Sequence, residues 1–139
     1  MKKSELDLTY LKNSLATLKE CYFDYEVEKN PRMKVYIKDS CMQRFEYTYE
    51  TAKKVMNKFL KKEFDKQEID LSINNIFRSM FGLGLIENFE NWCEYREKRN
   101  STSHEYDNSL TFPILDILPK FIKDVEILIG NLEKTLVDD

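Results

Sequence analysis

An all-α fold, an up-and-down bundle of four to five helices, is predicted by two features of this sequence. Turn formers are scarce, with three Gly and three Pro in 139 residues, which argues against an all-β fold and for long helices with short connections. Apolar residues also recur at steps of three and four in successive segments, which places each set on one helical face. The length is that of one domain, residues 1–139, and 42% hydrophobic content suffices for a core.

The first helix is expected from Ser4 to about Glu28, with Leu11, Leu15, Leu18, Tyr22 and Tyr25 along one face. Pro31 closes it and opens the second. That second helix, about Met33 to Phe64, carries Cys41, Phe45, Thr48, Ala52, Val55 and Phe59 with no internal Gly or Pro. About 30 residues at 1.5 Å each span roughly 45 Å, so it needs a long antiparallel partner or another subunit. Asp70 and Ser72 are N-cap residues for a short third helix, Ile73 to Phe81, which Gly82 and Gly84 end. A fourth helix runs from about Asn88 through Trp92 and Tyr95 to Asn100 or slightly beyond. Ser101 to Ser109 is the least regular stretch and holds the single His. The last helix carries Leu118, Phe121, Val125, Leu128, Leu132 and Leu136, with a kink or broken start expected at Pro119.

Charge narrows the function. The net charge of −3 and pI near 5.4 argue against a protein that grips long duplex DNA by its phosphates, while leaving room for a local basic pocket. Cys21, Cys41 and Cys93 form no C-x-x-C pair, and one His cannot complete a zinc site with them; buried free thiols are expected, and no metal or cofactor. The N-terminus lacks an apolar signal-peptide core, and no apolar run is long enough to span a membrane. A cytoplasmic protein is the expectation.

Reactive groups concentrate in Arg99-Asn100-Ser101-Thr102-Ser103-His104-Glu105-Tyr106. His104 is the one side chain whose ordinary pKa lies near neutrality, and Arg99 is a permanent cation suited to phosphate. If the fourth helix continues, Asn100 and His104 share a face, whereas Arg99 stands about 140° from His104. Taken alone, a lone His beside Ser and Glu at a helix terminus is more often a cap or a solvated residue.

The spacing Arg99-Asn100-x-x-x-His104 resembles the R-N-x-x-x-H signature of the HEPN superfamily, and with Tyr106 the R-x4-H-x-Y form of HepT toxins. Gln43-Arg44-Phe45-Glu46-Tyr47-Thr48-Tyr49-Glu50 resembles the Q-R-F-E-[FY]-T-[FY]-E block of nucleotidyltransferase substrate-binding proteins. Phe81-Gly82-Leu83-Gly84-Leu85-Ile86, followed by Trp92, is a third block in the same order. The resemblance covers roughly residues 11–136. Ala52-Lys53-Lys54 departs from it, standing where the family usually has a Trp.

The resemblance implies a helical bundle that forms a two-fold homodimer and cleaves RNA without a metal. Such cleavage needs a base for the 2′-OH, an acid for the 5′ leaving oxygen and a cation for the phosphorane. One His per chain cannot be base and acid together, which favours a cleft shared by two protomers. In this reading His104 moves the proton, Arg99 holds the scissile phosphate and Asn100 orients either; Arg96 and Lys98 add positive charge. The resemblance also implies a partner, a minimal nucleotidyltransferase acting as antitoxin, which attaches AMP to Tyr106. The added charge and bulk two residues from His104 would block the cleft. Arg44 and Glu46 are candidates to line the cleft or the partner's docking face, or else to form an ion pair. Lys53, Lys54, Lys58, Lys61 and Lys62 read as a solvated face, with an RNA-facing strip as the alternative.

The alternative is a non-catalytic substrate-binding subunit of a two-component nucleotidyltransferase; a plainer one still is a helical scaffold for that partner. The chain has no Gly-rich phosphate loop and no carboxylate pair spaced for nucleotidyl transfer, so it is not expected to be the transferase.

Overall fold

Helices account for every element longer than a turn in the computed structural model, which describes residues 1–64, 72–102 and 108–139, without the side chains of 102 and 108–113. After a short 3-10 turn, Lys3–Glu5, come α1 (Thr9–Val27), α2 (Pro31–Phe64), α3 (Ile73–Gly82), α4 (Phe89–Thr102) and α5 (Asn108–Thr135). The chain is an all-α helical bundle.

α1 starts five residues later than the apolar pattern predicts. The Asp7 carboxylate accepts from the Thr9 backbone N–H at 2.9 Å, a local bond that competes with helix and sets its first turn. Asn30 does the same before α2, where its side-chain oxygen accepts from the N–H groups of Arg32 and Met33. Pro31, the first helical residue there, loses nothing by lacking an N–H.

α3 ends in a Schellman turn. The Leu85 N–H donates to the Met80 carbonyl at 2.9 Å and the Gly84 N–H to that of Phe81 at 3.0 Å. Gly84 takes the required left-handed conformation, φ 73°. Leu85 and Met80 are both buried, the apolar contact that accompanies this turn.

Three pairs of helices run antiparallel, as their cross-links show. Cys21 and Ser14 of α1 meet Cys41 and Thr48 of α2. Lys12 and Lys19 of α1 pair with Glu133 and Glu126 of α5. Asn91 and Glu94 of α4 meet Asp124 and Lys120 of α5. At about 50 Å, α2 outruns any single partner and is covered in pieces by α1, α3, α4 and α5.

The stripes expected on α2 and α5 are buried throughout, Cys41 to Phe59 and Leu118 to Leu136. On α1, Leu11, Leu15 and Leu18 are buried while Tyr22 and Tyr25 lie at the margin. At the centre, Phe121 packs edge-on against Phe45 (4.8 Å), Tyr95 (4.9 Å) and Trp92 (6.1 Å). These contacts tie α2, α4 and α5 together behind the candidate site.

α5 differs from expectation: it begins ten residues before Leu118 and is continuous across Pro119. A proline inside a helix removes one backbone bond and costs about 3 kcal/mol. Leu115, Leu118, Phe121 and Ile122, all buried around it, offset that cost and hold the chain helical.

Candidate functional site

The last three turns of α4 place Cys93, Arg96, Arg99 and Asn100 at steps of three and four, on a face that meets α2. The facing stripe of α2 is Glu46, Tyr49, Glu50 and Lys53. Arg99 Nε lies 3.1 Å from Glu50 Oε1, with the two side chains 27% and 32% exposed. Lys53 Nζ holds Glu50 from the other side at 3.0 Å. Arg96 donates from Nη1 to the Asn74 side-chain oxygen, in the first turn of α3, at 3.4 Å.

Tyr49 is 2% exposed, and its hydroxyl has no hydrogen-bond partner among the described residues. Burial pushes its phenol well above the ordinary value and Glu50 adds to that, while the charges of Arg96 and Arg99 pull the other way. Burial likewise raises the Cys93 thiol, against the pull of Arg78 and Arg96. The cluster thus gathers Arg96, Arg99 and Lys53 about Tyr49 and Glu50, in a chain of net charge −3. Its three cations outnumber the two carboxylates, Glu46 and Glu50, on the facing stripe of α2.

The structure brings together Arg96 and Arg99 and sets Glu46 on the same α2 face, one turn before Glu50. Lys98 is half-buried and turned about 100° from Arg99 around α4. Asn100 is exposed in the same last turn. Arg44 goes elsewhere. Six residues before Glu50, it stands about 120° away around α2, and its Nε donates to Ser40 Oγ at 3.2 Å. It lines a cleft of about 270 Å³ between α1 and α2 with Glu20, Cys21 and Asp24. His104 and Tyr106 lie outside the described residues.

By sequence, Tyr49 and Glu50 stand in the family block without a role of their own, Lys53 falls on a face expected to be solvated, and Asn74 is not singled out. The available signal was the i, i+4 spacing of Glu46 with Glu50 and of Tyr49 with Lys53 on one helical segment. Nothing local pairs that segment with Arg99. Among the described residues no group of three or more His, Cys, Asp or Glu could hold a metal, and no helix is long and apolar enough to cross a membrane.

Residues 6–134 match the family model described as nucleotidyltransferase substrate binding protein like. A curated relative from Haemophilus influenzae, named "Probable ribonuclease HepT", is 28% identical over 95 residues, 67% of this chain. The match spans 65% of that relative's length. A solved Haemophilus influenzae protein, described as having the fold of a substrate binding domain of a nucleotidyltransferase, superposes with a TM-score of 0.83 at 22% identity. That match covers 91% of this chain and 99% of the other. A Thermus thermophilus protein superposes with a TM-score of 0.72 at 27% identity, covering 88% and 98%.

Proposed function

This chain belongs to the nucleotidyltransferase substrate binding protein like family, and on that premise we propose that it is a HepT-like ribonuclease restrained by a partner nucleotidyltransferase. One observation carries the reading: the partly exposed Arg99 guanidinium is seated beside Arg96 on the α2–α4 contact, immediately before the segment that holds His104 and Tyr106. A curated relative named as a ribonuclease supports the same activity.

In this mechanism a His104 removes the 2′-OH proton and the 2′ oxygen attacks phosphorus. The P–O5′ bond then breaks, and the His104 of a second protomer gives its proton to the 5′ oxygen. The products are a 2′,3′-cyclic phosphate and a 5′-OH. Arg99 stabilises the charge on the phosphorane, and Asn100 orients either partner. This route calls for no metal. The homodimer supplies both histidines. AMP on Tyr106, attached by the partner, closes the site by bulk and charge.

The second reading is a non-catalytic subunit that binds substrate for the nucleotidyltransferase; the family description itself favours it. Expression of the chain alone, with the adjacent nucleotidyltransferase, and as His104→Ala separates the two. Growth arrest that needs His104 and is relieved by the partner supports the ribonuclease. A harmless chain that still binds the partner supports the subunit. Mass spectrometry after incubation with partner and ATP tests the modification, and an unmodified Tyr106 rejects it.

A further inference from the structure

Resting on the reading that Arg99 faces a phosphate, we propose that Tyr49 and Arg96 form an adjoining subsite for a second phosphate group of the same ligand. The Tyr49 hydroxyl is a buried donor without a partner among the described residues. Such a group costs free energy in the folded state and contributes nothing to it, unless something else accepts its hydrogen bond. The two guanidinium groups whose charges reach it are those of Arg96 and Arg99, one turn apart on α4. A buried donor within reach of the charge of two cations suits an anionic oxygen.

The resting pairings are ones a phosphate can exchange. Arg99 meets Glu50 through a buried Nε, although the two side chains are 27% and 32% exposed, and Arg96 reaches Asn74 only at 3.4 Å. Phosphate oxygens take charge-assisted bonds from guanidinium groups in a well-aligned geometry, so they compete favourably with both contacts. An anion that draws Arg99 away from Glu50 uncovers the approach to the hydroxyl. Arg96 then supplies charge, and Tyr49 supplies one directed hydrogen bond. The chemistry fits a phosphodiester of a nucleic acid strand or the phosphate of a free nucleotide.

Binding of a fluorescently labelled single-stranded DNA oligonucleotide, which lacks the 2′-OH and cannot be cleaved by this route, tests the subsite by anisotropy. Tyr49→Phe should weaken it about tenfold, the effect of losing a hydrogen bond to a charged group, with an unchanged or raised thermal midpoint. Arg96→Gln should weaken it too and lower the dependence of log Kd on log salt by about 0.7, one phosphate contact. Competition by AMP and by inorganic phosphate distinguishes the sources: displacement by AMP at concentrations where phosphate is inert assigns the site to a nucleotide. Displacement by neither assigns it to the strand.

Equal affinities of Tyr49→Phe and the parent chain would overturn the subsite, as would a lowered midpoint, which would mean that the fold uses the hydroxyl. A chain that cleaves RNA through His104 while Tyr49→Phe binds normally loses the subsite alone. Tyr49-dependent binding without cleavage keeps the subsite and removes the ribonuclease reading. No binding by the parent chain removes both.

Discussion

Arg99 in the last turn of α4 reaches Glu50 in the middle of α2, Nε to Oε1 at 3.1 Å, and Lys53 grips the same carboxylate at 3.0 Å. Glu50 therefore does two opposed things. It fixes the position of the cation that would meet a phosphate, and its own charge repels that phosphate.

Glu50→Gln separates these roles. The variant should keep its fold, since a partly exposed pair contributes about 1 kcal/mol or less. With the repulsion gone, KM for an RNA substrate falls a few-fold. With Arg99 less restrained, kcat falls as well. Steady-state cleavage kinetics check the split, and a rise in both constants would contradict it.

Asp124 is buried at 6% exposure and accepts from the Asn91 amide at 3.1 Å and from the Tyr95 hydroxyl. Asp124→Ala leaves one buried donor, Tyr95, and one half-buried donor, Asn91, unsatisfied and should cost about 3 kcal/mol, or about 10 °C in Tm. Asp124→Asn keeps an acceptor and should cost about a third of that. Calorimetry on both variants tests the order.

Alkali should unfold the chain early. Burial is the first cause holding the phenols of Tyr22, Tyr49 and Tyr95 above the ordinary 10.0. Above about pH 10 the unfolded chain releases tyrosine protons that the native chain keeps, so the unfolded state binds fewer protons and stability falls as pH rises. Below that value these groups make stability independent of pH. Urea midpoints between about pH 9 and 11 should show the fall, and Tyr95→Phe should make it shallower.

Much of the fold is legible in the sequence because burial follows helical periodicity. Phe45, Ala52 and Phe59 lie on one α2 stripe whatever they pack against. The start of α5 is not legible, because Pro119 is a local signal that buried neighbours override. Half of the candidate site is legible for the same reason. Arg96 and Arg99 share a face by spacing alone, but their meeting with Tyr49 and Glu50 depends on how α4 lies on α2, across nearly fifty residues of sequence. Cys21 and Cys41 look unrelated in the chain, yet antiparallel packing of α1 on α2 brings their Sγ atoms to 3.1 Å.

Those two thiols should be slow to react. Burial, then the hydrogen bond to Cys21, pushes the Cys41 thiol far above its ordinary value, leaving almost no thiolate. Cys93 is half-buried and the more accessible. Iodoacetamide at about pH 8 should alkylate Cys93 first in the native chain, with Cys21 and Cys41 reacting only after unfolding. Peptide mass mapping over time distinguishes this order from uniform labelling.

Glycine substitutions isolate backbone conformation from packing, because a Cβ at Gly84 or at Gly130 meets nothing within 4 Å. Gly84 sits at φ 73° in the turn that ends α3, where an L-residue incurs a conformational penalty, so Gly84→Ala should destabilise by about 1 kcal/mol. Gly130 lies within α5, where alanine reduces the freedom of the unfolded chain and favours helix, so Gly130→Ala should stabilise by about 0.5–1 kcal/mol. The same chemical change thus acquires opposite signs from φ alone. Two denaturation curves measure this, and equal signs would mean that one of these two backbone conformations is not the one populated in solution.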